Sequence, residues 1–297
     1  PAVHGLPLDL PRPAQQGFWG AGLHQHIDRA LLDRANALCA QHEVTLFMLL
    51  HSVLSLLLSR YSNETDVVVG SPIAGRVHQD TEGLIGFFVN TLVLRSDCSG
   101  NPGFAELLQQ NREMILAGYG HQHIPFEMLV EELKPSRSLA YSPMFQIMLS
   151  LQNNERVGLA LEGMQLEGYT LESNAIRFDL ELGVAESASG LSIEWRYNRA
   201  LFFESTIRRL SSSFERLLHG AIANPAERVA YLKLLTETER QTLLFDWNAT
   251  AADYPRDKCI HELFEEQVAL HTSAFYSGLT LDDTTFGILV VPAPGVV

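Results

Sequence analysis

Hydrophobic positions along the chain change period several times, and each change marks an element. In IDRALLDRANALCAQHE, Leu31, Leu32, Ala35, Leu38 and Cys39 recur at helical spacing and share one face. Thr45 is placed to cap a second helix, LFMLLHSVLSLLLSRYS, which is apolar nearly all round and therefore expected in the core. DVVVG reads as a short buried strand. From Ile85 to Arg95, in IGFFVNTLVLR, the period falls to two. Leu92 and Leu94 face one way and Thr91, Val93 and Arg95 the other, which predicts a strand with Phe87 and Phe88 in the core.

A helix is expected after Asn101, with Pro102 at its first position, and another from Pro125 in PFEMLVEEL, with Phe126 packing inward. Strands are expected from Met144 in SPMFQIMLSLQNN and in MQLEGYTLES, RFDLELGVAES and GLSIEWRYNR. FFESTIRRLSSSFERLLHGAI is an amphipathic helix with Ile207, Leu210, Phe214, Leu217 and Leu218 on one side. This mixed order predicts an α/β domain of layered sheet and helices. Residues 1–22, rich in Pro and Gly, read as an entry arm to a domain at 23–223. A change of character after Asn224 suggests a linker over 224–258, then a helix at 259–270 and an unassigned tail at 271–297.

Composition narrows the function classes. The 297 residues are 46% hydrophobic and 19% charged, which is globular, and the formal net charge of −14 disfavours nucleic acid and anionic membrane as partners. The N-terminal PAVHGLPLDLPRP does not read as a signal peptide, and the longest apolar stretch, Thr45 to Leu58, is too short to span a bilayer. Cys39, Cys98 and Cys259 are far apart with no C-x-x-C spacing, so structural zinc and a disulfide framework are not expected and a cytoplasmic setting is. G-x-S-x-G, H-E-x-x-H, P-loop and G-x-G-x-x-G patterns are absent. Two H-x-H pairs, His24/His26 and His121/His123, lack a third ligand, so no metal is expected. His123 stands before Pro125, where it would orient the following helix.

Asn90 poses a separate question, because a buried amide without partners costs about 1–3 kcal/mol. Either backbone neighbours satisfy it, fixing a strand end, or it faces a ligand.

Several motifs, in order, carry a family resemblance. IGFFVNTLVLR resembles the fifth core motif of condensation domains from non-ribosomal peptide synthetases, and Gly86 and Arg95 fall within it. HQHIPFEMLVEEL resembles the sixth, with His123 where Asp is usual and Pro125 and Phe126 matching. RSLAYSPMF resembles the seventh: Arg137 and Pro143 match, whereas Ser138, Ala140 and Tyr141 depart. The segment from LLTETERQTLLFDWNATAADYP to CIHELFEEQV resembles the passage from a condensation domain into the first helix of an adenylation domain. The family's H-H-x-x-x-D-G motif does not occur in this sequence.

The resemblance implies a chloramphenicol-acetyltransferase-like sandwich subdomain, the second half of a V-shaped domain whose active site is a tunnel between two such halves. It implies an acceptor-side role in peptide-bond formation, with no cofactor bound directly and substrates carried on the 4'-phosphopantetheine of peptidyl carrier proteins. The missing N-terminal half and an adjacent adenylation domain would be further partners. A truncated, non-catalytic module that only binds carrier protein or packs on an adenylation domain is the alternative. An epimerisation domain fits less well, since Ser150 to Asn154 depart from its N-Y-L-G-Q. No catalytic residue is assigned. Asn90, Ser150 and Gln152 become candidates for lining the tunnel and binding substrate, and Gly75, Arg76 and Gly83 for a floor loop, with the glycines allowing bends. Arg95 is expected to pair with a carboxylate.

Overall fold

The structure is a computed structural model that describes residues 3–76, 79–81, 83–152, 175–253, 256–270, 279–281 and 284–286. The chain divides into two units, Pro1–Thr238 and Glu239–Val297.

In the first unit, β1 (Gly20–Asp28) leads directly into α1 (Arg29–Gln41), whose first turn is capped by Asp28 through a 2.7 Å bond from the Leu31 amide. All five residues expected on the buried face of α1 are buried. α2 (Leu46–Ser62) begins at Thr45, which accepts from the Met48 amide, and ends at Asn63 in the left-handed region. Every residue from Phe47 to Ser59 of α2 is buried. There follow β2 (Asp66–Ile73), β3 (Asn90–Asp97), α3 (Phe104–Gly120), α4 (Phe126–Leu133), β4 (Ile147–Gln152), β5 (Leu180–Ser187), β6 (Gly190–Asn198) and α5 (Glu204–Ala223). The six strands form one mixed sheet in the order β1-β6-β5-β4-β2-β3, with β4 parallel to its neighbours and the other pairs antiparallel.

The sheet is one-sided. Val67 and Val69, Leu92 and Leu94, Ile147 and Leu149, Leu182 and Val184, and Ile193 and Trp195 join the core with α1, α2, α3 and α5. The alternate residues, among them Val68, Gly70, Thr91, Met148, Glu181 and Arg196, lie on the other face. β2 and β4 are in register only at Gly70 and Met148. Arg95, on that outer face, forms a two-bonded ion pair with Asp66 on the neighbouring strand at 2.8 and 2.9 Å.

Several elements differ from expectation. β1 carries the His24/His26 pair but no strand was expected there, because its alternation is Gly- and His-rich rather than β-branched. β3 begins at Asn90, not Ile85: Ile73 pairs with Asn90, and the chain then turns away at Gly75, so the residues before Asn90 have no strand to pair with. Phe87 is accordingly 90% exposed rather than in the core. α3 starts at Phe104, because Gly103 is its cap and the Pro102 carbonyl accepts from Val229. β4 starts three residues after Met144, whose φ of 72° interrupts an extended run. The strand expected in MQLEGYTLES lies outside the described residues.

The residues before β1 are tied to the domain at several points. His4 and Arg12 bond the buried Asp179 at 3.0 and 2.6 Å, and Asp9 accepts from the Phe203 amide at the start of α5. The domain continues past Asn224: Val229 and Leu232 are buried, and Arg60 and Arg216 donate to the carbonyls of Val229 and Leu234. The compact unit therefore runs through Thr238 rather than stopping at 223. Its last residues begin the short helix α6 (Glu237–Gln241). The second unit contains the helix α7 (Ile260–Leu270) and a short hairpin, β7 (Leu279–Leu281) with β8 (Thr284–Phe286). Among the described residues no single helix is long and apolar enough to cross a membrane.

Two predictions follow from this packing. Trypsin should cut first at Arg240, Arg256 or Lys258, sparing Arg60 and Arg216, and leave a fragment ending near Thr238, measurable by mass spectrometry. His51 is fully buried in α2 with neither ring nitrogen bonded, and burial pushes its imidazole down to about 4 from 6.5. A depressed histidine favours the fold above its ordinary pKa, so stability should fall as pH drops from 6.5 toward 4, by about 3 kcal/mol in all. His51→Leu should flatten that part of the melting-temperature profile; parallel profiles would refute the assignment.

Candidate functional site

On the outer face of the sheet, beside the point where β2 meets β4, lies an open cleft of about 1270 Å³. Its wall combines Pro72 of β2, Asn90 and Thr91 of β3, the start of α4, residues 141–143, Phe145, Met148 of β4, and the turn before β5. Gln16 and Phe18 of the N-terminal arm close one side; Gln16 is tied to the carbonyls of Leu139 and Arg177.

The floor is aromatic. The Phe145 ring stacks on Phe178 with centroids 4.9 Å apart and meets the edge of Phe126 at 5.7 Å. The rim is polar, and part of it is already engaged. Glu181 accepts from the Arg177 and Phe178 amides and pairs with Arg196 at 3.4 Å. Beside it, Asp179 is fully buried. Burial alone would raise its carboxyl, but the bonds from His4 and Arg12 outweigh that and hold it below the usual carboxylate range.

Asn90 does not present an open amide. Its Nδ2 donates to the carbonyls of Gln122 and Ile124 at 2.9 and 2.7 Å, and its Oδ1 accepts from the amides of Thr91 and Phe126 at 2.8 and 3.1 Å. Two donors and two acceptor sites are all it has, so the side chain is a clamp that fastens the turn into α4 onto the start of β3. Of the two readings open for Asn90, bonding to neighbouring backbone is the one the amide's contacts follow, and the residue also lines the cleft.

Gly75 also lines the cleft and is required there: its φ is 66°, and a Cβ would lie 1.9 Å from the Phe88 carbonyl oxygen. Arg76 closes the following loop by donating to the carbonyls of Thr81 and, at 2.9 Å, Leu84, while its guanidinium covers the Phe88 ring at 4.4 Å. At Gly83 a Cβ would meet open space. Gly86 lets the Phe88 ring lie close, 2.8 Å from where a Cβ would stand.

Pro125 caps α4, and Phe126 and Pro143 line the cleft. Ser150 and Gln152 continue the strand face of Met148 but lie beyond the cleft lining. Arg137 is exposed on the segment after α4. Sequence reading missed Gly70, Phe145 and Phe178; the signal was a glycine inside a β-branched strand, which marks close approach of another group. Among the described residues no group of three or more side chains is placed to hold a metal.

Comparison with known proteins adds the following. A family model described as Condensation domain matches residues 1–244. A linear gramicidin synthase of Brevibacillus parabrevis is 43% identical over 266 residues, which is 89% of this chain and 5% of that protein. Malpibaldin synthetase of Mortierella alpina is 40% identical over 263 residues, again 89% of this chain and 5% of that protein. The chain thus spans about 5% of the length of such relatives. A four-domain nonribosomal peptide synthetase in its holo form, bound to AMP and glycine, superposes with a TM-score of 0.80 at 25% identity, covering 91% of this chain and 22% of that one. The X-domain from teicoplanin biosynthesis is alike in fold, with a TM-score of 0.73 at 24% identity, covering 79% of this chain and 54% of that one. The mixed sheet, with α1, α2, α3 and α5 on one face, is the chloramphenicol-acetyltransferase-like α/β fold expected from the motifs.

The Asn90 clamp gives a stability prediction. Asn90→Ala leaves four backbone groups without partners and should destabilise the fold by about 2–4 kcal/mol, read by chemical denaturation. An unchanged midpoint would mean that water replaces the clamp.

Proposed function

The chain belongs to the condensation-domain family, and from that membership we propose that it is the acceptor-side half of a non-ribosomal peptide synthetase condensation domain. Joined to a half that carries the His motif, it forms a peptide bond between substrates held as thioesters on peptidyl carrier proteins. The observation that carries this reading is the cleft: an aromatic-floored groove on the open sheet face, walled by the three motifs of the resemblance. The half-domain reading is supported by the fold match to the teicoplanin X-domain, which covers about half of that protein. The segment after Thr238 is read as the passage toward an adenylation domain, by its resemblance alone.

In the reaction the acceptor amine attacks the thioester carbonyl carbon. The C–N bond forms, the C–S bond breaks, and the amine proton ends on the departing thiol. The residues of this chain supply shape rather than proton transfer: Asn90, Gly75 and Arg76 fix the wall, and Phe126, Phe145 and Phe178 keep the floor apolar and exclude water. Substrates arrive on the phosphopantetheine of their carriers, so no cofactor need reside in the protein.

The test supplies donor- and acceptor-loaded carrier proteins and follows dipeptidyl-carrier formation by intact-protein mass spectrometry. This chain alone should give no rate above the carriers by themselves, and a His-motif half added in trans should produce turnover. Turnover by the chain alone would overturn the half-enzyme reading. Carrier binding without turnover in the presence of that half would favour the non-catalytic module.

A further inference from the structure

We propose that Gly70 sets the depth of the cleft by leaving room for the Phe145 ring beneath its floor, and that the recess so formed takes an apolar side chain of the acceptor aminoacyl group. This rests on the acceptor-side reading of the cleft and adds a substrate class to it.

Gly70 lies on the outer face of β2 between Val68 and Pro72, and it is where β2 and β4 are in register. A Cβ at Gly70 would stand 2.2, 2.4 and 2.5 Å from Cε2, Cζ and Cδ2 of Phe145. Real side-chain contacts are not that short, so either the ring or the strand would have to move. The φ of Gly70 is not positive. Glycine is therefore needed there for space and not for backbone conformation.

Phe145 has few ways to move. Phe178 stacks on it and Phe126 meets it edge-on, its amide bonds the Pro143 carbonyl at 2.9 Å, and it is only 3% exposed. Phe145 borders two spaces, a cavity of about 20 Å³ beside Val68 and Ile147 and the cleft of about 1270 Å³, and only the cleft has room for the ring. A methyl group at position 70 would drive the ring that way and make the floor shallower.

The chemistry of the recess selects what fills it. Three ring surfaces and Met148 offer no hydrogen bond, and the Glu181 carboxylate at the rim is already held by Arg177, Phe178 and Arg196. The polar lining residues Thr91, His123, Glu127, Tyr141 and Ser142 belong to the same cleft, so the selection is local: over the rings and Met148 a charged or amide side chain loses water without a partner, whereas an aliphatic or aromatic one is buried favourably.

The experiment measures binding to the full 297-residue chain by calorimetry, using glycyl-, leucyl- and tryptophanyl-pantetheine probes with the thioester replaced by an amide. The leucyl probe should bind about tenfold more tightly than the glycyl one. Gly70→Ala should remove most of that preference, and Gly70→Ala combined with Phe145→Leu should restore it, because the methyl and the ring compete for one space. In a crystal structure of Gly70→Ala the ring should shift toward the cleft by about 1.2–1.8 Å, the distance needed to bring 2.2 Å back to ordinary contact at 3.4–4 Å. An unchanged preference in Gly70→Ala, or a strand that moves while the ring stays, would overturn the proposal. If Gly70→Ala does not fold, Phe145→Leu alone decides: it should raise tryptophanyl over leucyl affinity, and no change would count against the recess. If the wild-type chain binds none of the probes, the acceptor-side reading itself fails and the recess with it. Equal binding of all three would sink the recess alone.

Discussion

The burial of α2 on every side is the constraint from which the rest of the first unit follows. A helix with no polar stripe has to be walled in completely, and α1, α3, α5 and the strand β2 do so. Because side chains in a strand alternate, turning Val67 and Val69 toward α2 commits Val68, Gly70 and Pro72 to the opposite face. The same parity sends Leu92 and Leu94 inward and Thr91 outward on β3. The cleft is thus on the side of the sheet that the core does not claim, and its lining was free to be chosen for another purpose.

What was legible in the sequence follows from this division. Helices and strands that bury a full face announce it by period, so the faces of α1 and α5 and the parity of β3 were readable to the residue. The ends were not. Ile85 to Val89 continue the apolar look of β3, but whether they form a strand depends on whether β2 extends far enough to pair with them. That is a tertiary fact, and it ends at Ile73. The docking of Val229 and Leu232 was hidden for a similar reason: two apolar residues in a polar stretch carry no period. Motif resemblance singled out residues that share one cleft, since Asn90, Pro125, Phe126 and Pro143 all line it. It did not reveal roles. Whether an amide is spent on backbone depends on which carbonyls come near it, and Gln122 and Ile124 are more than thirty residues away.

The wall that results is held mainly by backbone. Asn90 fastens two segments, Gly75 and Met144 take left-handed conformations, and Arg76 ties its loop to two carbonyls. Each such device costs conformational freedom or strain, of order 1–3 kcal/mol for a non-glycine residue in a disfavoured region. Met144 stands directly before Phe145, so the strain there is spent where the floor of the cleft is formed. A surface meant only to be solvated has no need of such expenditure, whereas a surface that must hold a shape does.

That distinction bears on how the proposed reaction would be divided between two halves. A general base contributes about 10²–10⁴-fold to a proton-transfer step. Alignment of two reactants contributes more, up to about 7–11 kcal/mol, but only if both are held at once. A fixed wall without a base is therefore the larger share of such a catalyst in energy and none of it in isolation, because one wall positions one reactant. On the proposed reading, the cleft with its aromatic floor and its wall held by Asn90, Gly75 and Arg76 would be one such wall, and the partner half would supply the other. A member of this family that lost its base would remain a slow enzyme as long as two walls faced each other. Losing the opposite wall removes the quantity that alignment supplies, whatever titrating groups remain.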